Sequence, residues 1–219
     1  SLILDRIIVK NNESSYYGGG IYCTNTNYLS IGNSRIHNNS SNYNGGGISV
    51  RENVHYFELY NSIVSNNTAG SSQNNHRYGG GLYIDNGVEK AIMRNNVIAF
   101  NTSRYGPALR YDAFEDSLLL LNNIFYSNYG YYDSENDVSA DRQYIVAISN
   151  YFDESDNNAM SNFGRDTLNI NVNRNPFINS GENNFALSDS SGAINAGILS
   201  TTFFGETITA PSTDFHGNI

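Results

Sequence analysis

Four positions that follow runs of glycine carry side chains able to bind or react: Tyr22, Ser49, Tyr83 and Arg110, separated by 27, 34 and 27 residues. Two places further on, Thr24, Arg51, Asp85 and Asp112 keep the same intervals. If the chain coils with that period, these groups fall into columns on one flat face. A sugar could stack on Tyr22 or Tyr83 while Arg51 and Arg110 bond carboxylates or hydroxyls. Were the chemistry polysaccharide cleavage by a lyase, Arg110 or Tyr111 would be the base candidate, with Asp85 and Asp112 in support. A hydrolase would need two carboxylates facing across a cleft, and Asp85 with Asp112 is the pair to consider. The same columns also read as an ordinary solvated face with cross-coil charge pairs. A second column, Tyr17, Tyr43, Tyr78, Tyr105 and Tyr129, lies just before the glycines, and Arg77 and Arg104 precede two of its members. Stacked tyrosines at a turn make a structural ladder or, with Tyr78 and Tyr105 as contacts, a sugar-stacking edge.

Other reactive residues point less far. Acidic residues gather at Asp133, Glu135, Asp137 and Asp141, and again at Asp153, Glu154 and Asp156. Such oxygen-rich loops could hold Ca²⁺, but the spacing fits no helix–loop–helix calcium motif; no cofactor is otherwise expected. His37, His55, His76 and His216 are scattered without metal-ligand spacing, so no metal site is assigned. Cys23 is the single cysteine. It falls on an inward strand position and reads as a small core residue. Glycine triplets suggest phosphate only when a helix follows, and here strands follow.

The bulk numbers set the frame for these groups. The 219 residues carry a net charge of -9 with only 15% charged side chains. Nucleic acid is therefore an unsuitable partner, since phosphate binding needs a basic footprint. There are 36 Asn, 20 Gly and 17 Tyr against two Lys and three Pro. Asn and Gly are turn residues and Tyr a strand residue, so the composition predicts many short strands joined by turns. No stretch reaches the roughly 18 apolar residues of a membrane span. The first residues already read as a strand, and the chain is expected to start inside a repeat array.

The repeat decides the fold. Gly-Gly-Gly-aliphatic occurs at Gly18–Ile21, Gly45–Ile48 and Gly79–Leu82, with a degenerate copy at Gly106–Leu109. In phase with it, an apolar residue precedes Asn by three at Val9–Asn12, Ile36–Asn39, Val64–Asn67, Ile98–Asn101 and Phe125–Asn128. The single 34-residue interval contains Gly70 to Arg77, which reads as a loop insertion. Pairs such as Ile48 and Val50, or Phe57 and Leu59, alternate with period two and define strands with one inward face. Leu168 and Ile170 are placed in the same series. Three short strands per roughly 27 residues, repeated in tandem, predict an all-β, right-handed parallel β-helix over residues 1–175. Each ladder Asn is expected at a left-handed bend. Residues 176–219 are expected to form irregular final coils that cap the open end of the core.

These two motifs together resemble the repeats of chlamydial-type polymorphic outer membrane proteins, which carry Gly-Gly-Ala-aliphatic and Phe-x-x-Asn. Here Phe is kept only at Phe125-Tyr-Ser-Asn128. The order Asn175-Pro-Phe-Ile-Asn179, Ser191-Gly-Ala-Ile-Asn-Ala-Gly197 and Pro211-Ser-Thr-Asp-Phe-His-Gly217 resembles the end of bacterial cell-surface β-helix proteins. The resemblance implies export to the bacterial cell surface or the extracellular space. It implies roles ranging from adhesion to polysaccharide contact or cleavage, with polysaccharide or a host or neighbouring cell surface as partner. Other domains of a longer protein are further candidates for packing. The expected function is a secreted or surface module for adhesion, display or polysaccharide contact, without catalysis. A polysaccharide lyase or glycoside hydrolase acting on an extracellular glycan is the alternative.

Overall fold

A computed structural model describes residues 1–70, 77–112, 118–131, 137–140, 145–153, 163–171, 174–182 and 184–212. The chain winds as a parallel β-helix whose strands pair with their own copies in the next coil. Register offsets are 27 for Leu2↔Leu29, 28 for Leu29↔Phe57, 34 for Phe57↔Ala91, and 27 again for Ala91↔Leu118 and Leu118↔Ile145. The six extra residues fall between Ala69, paired with Ser41, and Leu82, paired with Ile48.

Four parallel sheets run along the axis. The first follows the glycines and contains Ile21–Cys23, Ile48–Val50, Leu82–Ile84, Leu109–Tyr111 and Val138–Ala140. The second has seven strands, from Leu2–Asp5 through Thr26–Gly32, Val54–Tyr60, Val88–Arg94, Leu118–Leu121 and Ile145–Ile148 to Phe163–Thr167. The third stacks Ile8–Lys10, Arg35–His37, Ile63–Ser65, Val97–Ala99, Ile124–Tyr126, Tyr151–Phe152 and Ile170–Asn171. The three expected strands per coil are joined by a fourth of two residues, such as Ser40–Ser41 and Thr68–Ala69, which lies just after the ladder Asn.

Inward side chains form continuous apolar columns. Ile36, Val64, Ile98, Phe125 and Phe152 are wholly buried, and the rings of Phe125 and Phe152 stack 4.9 Å apart at 5°. Cys23 joins this core as a free thiol. Leu168 does not: it is 67% exposed at a corner with φ +59°, and Ile170 pairs with Tyr151 in the third sheet.

Between the third and fourth sheets runs the expected asparagine ladder. The backbone N–H and side-chain amide of Asn39 both donate to Oδ1 of Asn67 at 3.0 Å, and Asn67 repeats this toward Asn101. The second amide hydrogen of Asn67 donates to the Ile36 carbonyl at 2.9 Å. Each inner Asn thus accepts two bonds and donates two, which is why a polar column can run through an apolar interior. The left-handed bend is one residue earlier than expected, at Asn11, Asn38, Asn66, Phe100 and Ser127. The bend turns the chain so that the following Asn can aim inward.

A second ladder lies at the corner between the second and third sheets. It begins with serines, Ser34 donating its N–H to Ser62 Oγ at 3.1 Å, and continues as Asn96, Asn123, Asn150 and Asn169.

The glycine triplets exist because backbone approaches backbone. A Cβ on Gly46 would stand 2.4 Å from the Thr68 carbonyl carbon and 2.5 Å from the Gly80 oxygen. Gly45 has φ +72°, a conformation that L side chains rarely adopt.

The described part of the C-terminal segment is built of antiparallel hairpins. Phe177–Asn179 pairs antiparallel with Asn184–Leu187, and Ser200–Phe203 with Glu206–Thr209. These hairpins lie along the flank of the solenoid as a strap. Phe203 and Ile208 pack on Ile92, Leu119, Leu121 and Ile148, which face outward from the second sheet. Phe177 and Phe185 pack on Ile63 and Ala99 of the third sheet. The reason is physical: from the third coil on, these outer faces are apolar and need cover. Among the described residues no helix is long and apolar enough to cross a membrane.

Candidate functional site

The outer face of the first sheet assembles most of the expected side chains. Register places Tyr22, Ser49, Tyr83, Arg110 and Ser139 one above another. Arg51 Nε donates to Asp85 at 2.8 Å, and the pair is mostly buried, with side-chain exposures of 18% and 7%. The other Asp85 oxygen accepts the N–H groups of Glu52 (3.1 Å) and Gly87 (3.0 Å). One coil on, Arg110 pairs with Asp112 and donates to Ser139 Oγ at 2.8 Å.

Aromatic rings extend this network across the glycine corner. The Arg51 guanidinium lies 4.0 Å from the Tyr17 ring centroid and 5.7 Å from that of Tyr83. Arg110 lies 4.9 Å from that of Tyr78. Tyr78 stacks on Tyr105 at 5.3 Å and on Tyr83 at 6.4 Å. Tyr17 stacks on Tyr22 at 6.1 Å, and Tyr16 on Tyr43 at 5.9 Å and 13°. Arg77 covers Tyr43 at 4.1 Å. The strand face and the tyrosine corner, expected as separate columns, form one patch.

The corner register differs from the expected one by a residue. Tyr43 donates its N–H to the Tyr16 carbonyl, and Gly45 to the Tyr78 carbonyl. The columns are therefore Tyr16–Tyr43–Arg77–Arg104 and Tyr17–Asn44–Tyr78–Tyr105, each with intervals of 27, 34 and 27. Tyr129 belongs to neither, since it pairs with Thr102 in the fourth sheet. Tyr16, absent from the sequence expectations, is 69% exposed and Tyr22 49%, whereas Tyr83 is buried against the sheet. The signal for Tyr16 was its 27-residue spacing to Tyr43. Tyr111 stands apart from the patch. It is 1% exposed and belongs to the core, because alternation turns it inward beside the outward Arg110.

The electrostatics hold these groups in their resting protonation states. Burial works against the Arg51 cation, but the hydrogen bonds it donates to Asp85 and Tyr17 prevail and raise its pKa. Burial raises the Tyr83 hydroxyl well above its ordinary value, helped by the charge of Asp112. Burial, then Glu52, raises Tyr22 as well. A general base needs a pKa near the working pH, and these shifts run the opposite way. On the neighbouring second sheet, burial and Glu58 push Tyr56 up to about 12. Above pH 10 the unfolded chain releases its phenolic protons near the ordinary value of about 10 while the folded chain keeps them. Folding stability is therefore expected to be intact below pH 10 and to fall as pH rises from 10 to 12. Urea midpoints across that range, with tyrosinate absorbance near 295 nm as the readout of ionisation on the order of one proton per ring, would check it.

Among the described residues no three His, Cys, Asp or Glu side chains group to hold an ion. Asp137 and Asp153 are buried, while Asp133, Glu135, Asp141, Glu154 and Asp156 lie outside the described residues. His55 pairs with Glu89 at 2.6 Å, burial lowers the His37 pKa, and His76 and His216 fall outside the description.

Residues 6–24 match the Chlamydia polymorphic membrane protein repeat. That stretch is one structural unit. It runs from the left-handed corner at Arg6 through the third-sheet strand and ladder residue Asn12 to the tyrosine pair, the glycine triplet and the strand Ile21–Cys23. No curated protein and no solved structure matches the chain. The chain thus resembles polymorphic-membrane-protein-type repeats, and repeat and fold together fit a cell-surface β-helix module.

Proposed function

We propose that this chain is an extracellular or cell-surface β-helix module that contacts polysaccharide, or the surface of a neighbouring or host cell, through its tyrosine–arginine patch without catalysing a reaction. The observation that carries this reading is the arrangement of Tyr16, Tyr22 and Tyr43. Their rings stay exposed at one end of the patch while the adjoining Arg51–Asp85 pair is internally neutralised and mostly buried. Exposed rings on a rigid scaffold offer flat apolar faces with a polar tip, at little entropic cost on binding. The paired arginines hold those rings in place, Arg51 beneath Tyr17 and Arg77 over Tyr43.

The test is a glycan array followed by quantitative binding to the best glycan. A Tyr16→Ala, Tyr43→Ala double variant is expected to bind about tenfold or more weakly, since each ring contact contributes on the order of 1 kcal/mol. Folding stability should change by no more than about 0.5 kcal/mol at the highly exposed Tyr16. Unchanged binding by the variant would refute the assignment of the patch. A depolymerisation screen with and without calcium, with Arg110→Ala as control, covers the enzymatic alternative: product release that Arg110→Ala abolishes would replace contact with a lyase or hydrolase.

A further inference from the structure

On the opposite side of the solenoid from the glycines, the corner between the second and third sheets keeps a left-handed residue in every coil: Arg6, Asn33, Asn61, Asn95, Asn122, Ser149 and Leu168, with φ between 46° and 59°. Asn is suited to that conformation, because its short amide can bond locally. Asn122 uses its amide fully. Its Oδ1 accepts the Ile198 N–H at 3.0 Å and its Nδ2 donates to the Ile198 carbonyl at 2.8 Å, which ties the strap to the corner. Ser149 breaks the column. It is 5% exposed, holds the strained backbone without an amide, and its Oγ has no hydrogen-bond partner among the described residues. Asn95 accepts from Asn122 Nδ2 at 3.3 Å, and its own amide nitrogen has no partner among the described residues.

These groups meet a cavity of about 320 Å³ that lies between the corner and the strap. Asn95, Asn122 and Ser149 line one wall, and Tyr151, Phe185 and Ala196 contribute apolar surface. None of the described residues that line it carries a formal charge. The volume lies at the small end of the range for ligand pockets, about 300–1,000 Å³. A buried hydroxyl without a partner is rare in native proteins and calls for an explanation by something that fills the space. An ion would be left there without a counter-charge. A ligand that is neutral, ring-sized and carries several hydroxyls meets every condition: it offers a partner to Ser149, an acceptor to Asn95 and an apolar face to Phe185.

We infer that this cleft is a second binding site, separate from the tyrosine–arginine patch, for a single neutral sugar unit, with Ser149 and Asn95 as its hydrogen-bonding groups.

Titration of the 219-residue chain by saturation-transfer NMR and calorimetry tests this. The probes are methyl glucoside, methyl galactoside and N-acetylglucosamine as neutral sugars, with glucuronate and glucosamine as charged ones. At least one neutral probe is expected to bind saturably and more tightly than either charged probe. Ser149→Ala should weaken it about tenfold through loss of one hydrogen bond to a buried hydroxyl. Ser149→Asn, which installs the corner residue of the four preceding coils (Asn33, Asn61, Asn95 and Asn122) and fills the cleft, should abolish binding while preserving or raising the melting temperature. The titrations are run in the Tyr16→Ala, Tyr43→Ala background, so that contact at the distant patch does not enter the readout. The proposal fails if no neutral probe saturates, or if a charged probe binds better. It also fails if binding survives Ser149→Asn, or if a crystal grown with the sugars shows an ordered water alone on Ser149 Oγ.

Discussion

Asn67→Ala is expected to cost about 4 kcal/mol or more of folding stability, with a melting temperature lower by about 10 °C. The loss is large because Asn67 is wholly buried and serves four hydrogen bonds at once. Its Oδ1 accepts the N–H and the side-chain amide of Asn39, and its Nδ2 donates to Asn101 Oδ1 and to the Ile36 carbonyl. Alanine removes one side chain and deprives both Asn39 donors and the Ile36 carbonyl of their partner, while Asn101 Oδ1 keeps only the backbone N–H of residue 67. Each buried group without a partner costs about 1–3 kcal/mol. Relaxation is restricted, because every coil is held by the coils on either side of it. Asn12 supplies the contrast. It donates to Asn39 Oδ1 but is itself exposed, so Asn12→Ala should cost about 1 kcal/mol. Urea unfolding of the two variants checks the difference. Equal costs would mean that the ladder is not what joins the coils.

The ladder was legible because its signal is redundant. An apolar residue three before Asn recurs five times, and like residues must stack when strands of successive coils pair in register. The second ladder was hidden by a change of residue type along its length, Ser34 and Ser62 giving way to Asn96, Asn123 and Asn150. A hydroxyl and an amide can occupy the same rung, but they do not look alike in a sequence. The tyrosine column was misaligned at Tyr43, which lies in register with Tyr16 and not with Tyr17, because Tyr16 and Tyr17 are adjacent and a ring at either position satisfies a loose search. Only strict 27- and 34-residue spacing separates Tyr16–Tyr43 from Tyr17–Tyr78. Tyr111 shows a conflict of another kind. Its chemistry suggested a site while its alternation with Arg110 put it in the core, and alternation prevailed because an unburied inward position would open a cavity.

The strap was missed for a further reason. Its own residues, Phe203, Ile208, Phe177 and Phe185, are sparse and aperiodic, so nothing in them announces a partner. The announcement lay in the solenoid. Leu118-Leu-Leu-Leu121 has no polar face, and all four residues are wholly buried. A strand without alternation is covered on both sides, and the inward-only interpretation left Leu119 and Leu121 without a role.

Leu119 and Leu120 therefore allow an experiment in which adjacent residues have opposite consequences. Leu120 points into the core with Met93 and Ala147, while Leu119 points outward beneath Phe203 and Ile208. A lone carboxylate in either place costs several kcal/mol, but the chain escapes the cost differently. For Leu120→Glu the only escape is disruption of the coils, and cooperative loss of the β-sheet signal is expected. For Leu119→Glu the strap can leave. Among the described residues its hairpin strands pair only with each other. Near Leu119 it is held by the apolar contacts, the Lys90–Glu206 pair, the Arg94 bond to the Thr209 carbonyl and the Asn122–Ile198 bonds. Single polar contacts of that kind contribute about 1 kcal/mol each, each less than the penalty of the buried charge. Leu119→Glu should thus keep its far-ultraviolet β spectrum while amides of residues 200–209 exchange with solvent by on the order of a hundredfold faster. Protease should cut first between the two hairpins, within 188–199. If both variants instead unfold as a single unit, the strap is an integral part of the solenoid's stability and the outer apolar face has no existence apart from it.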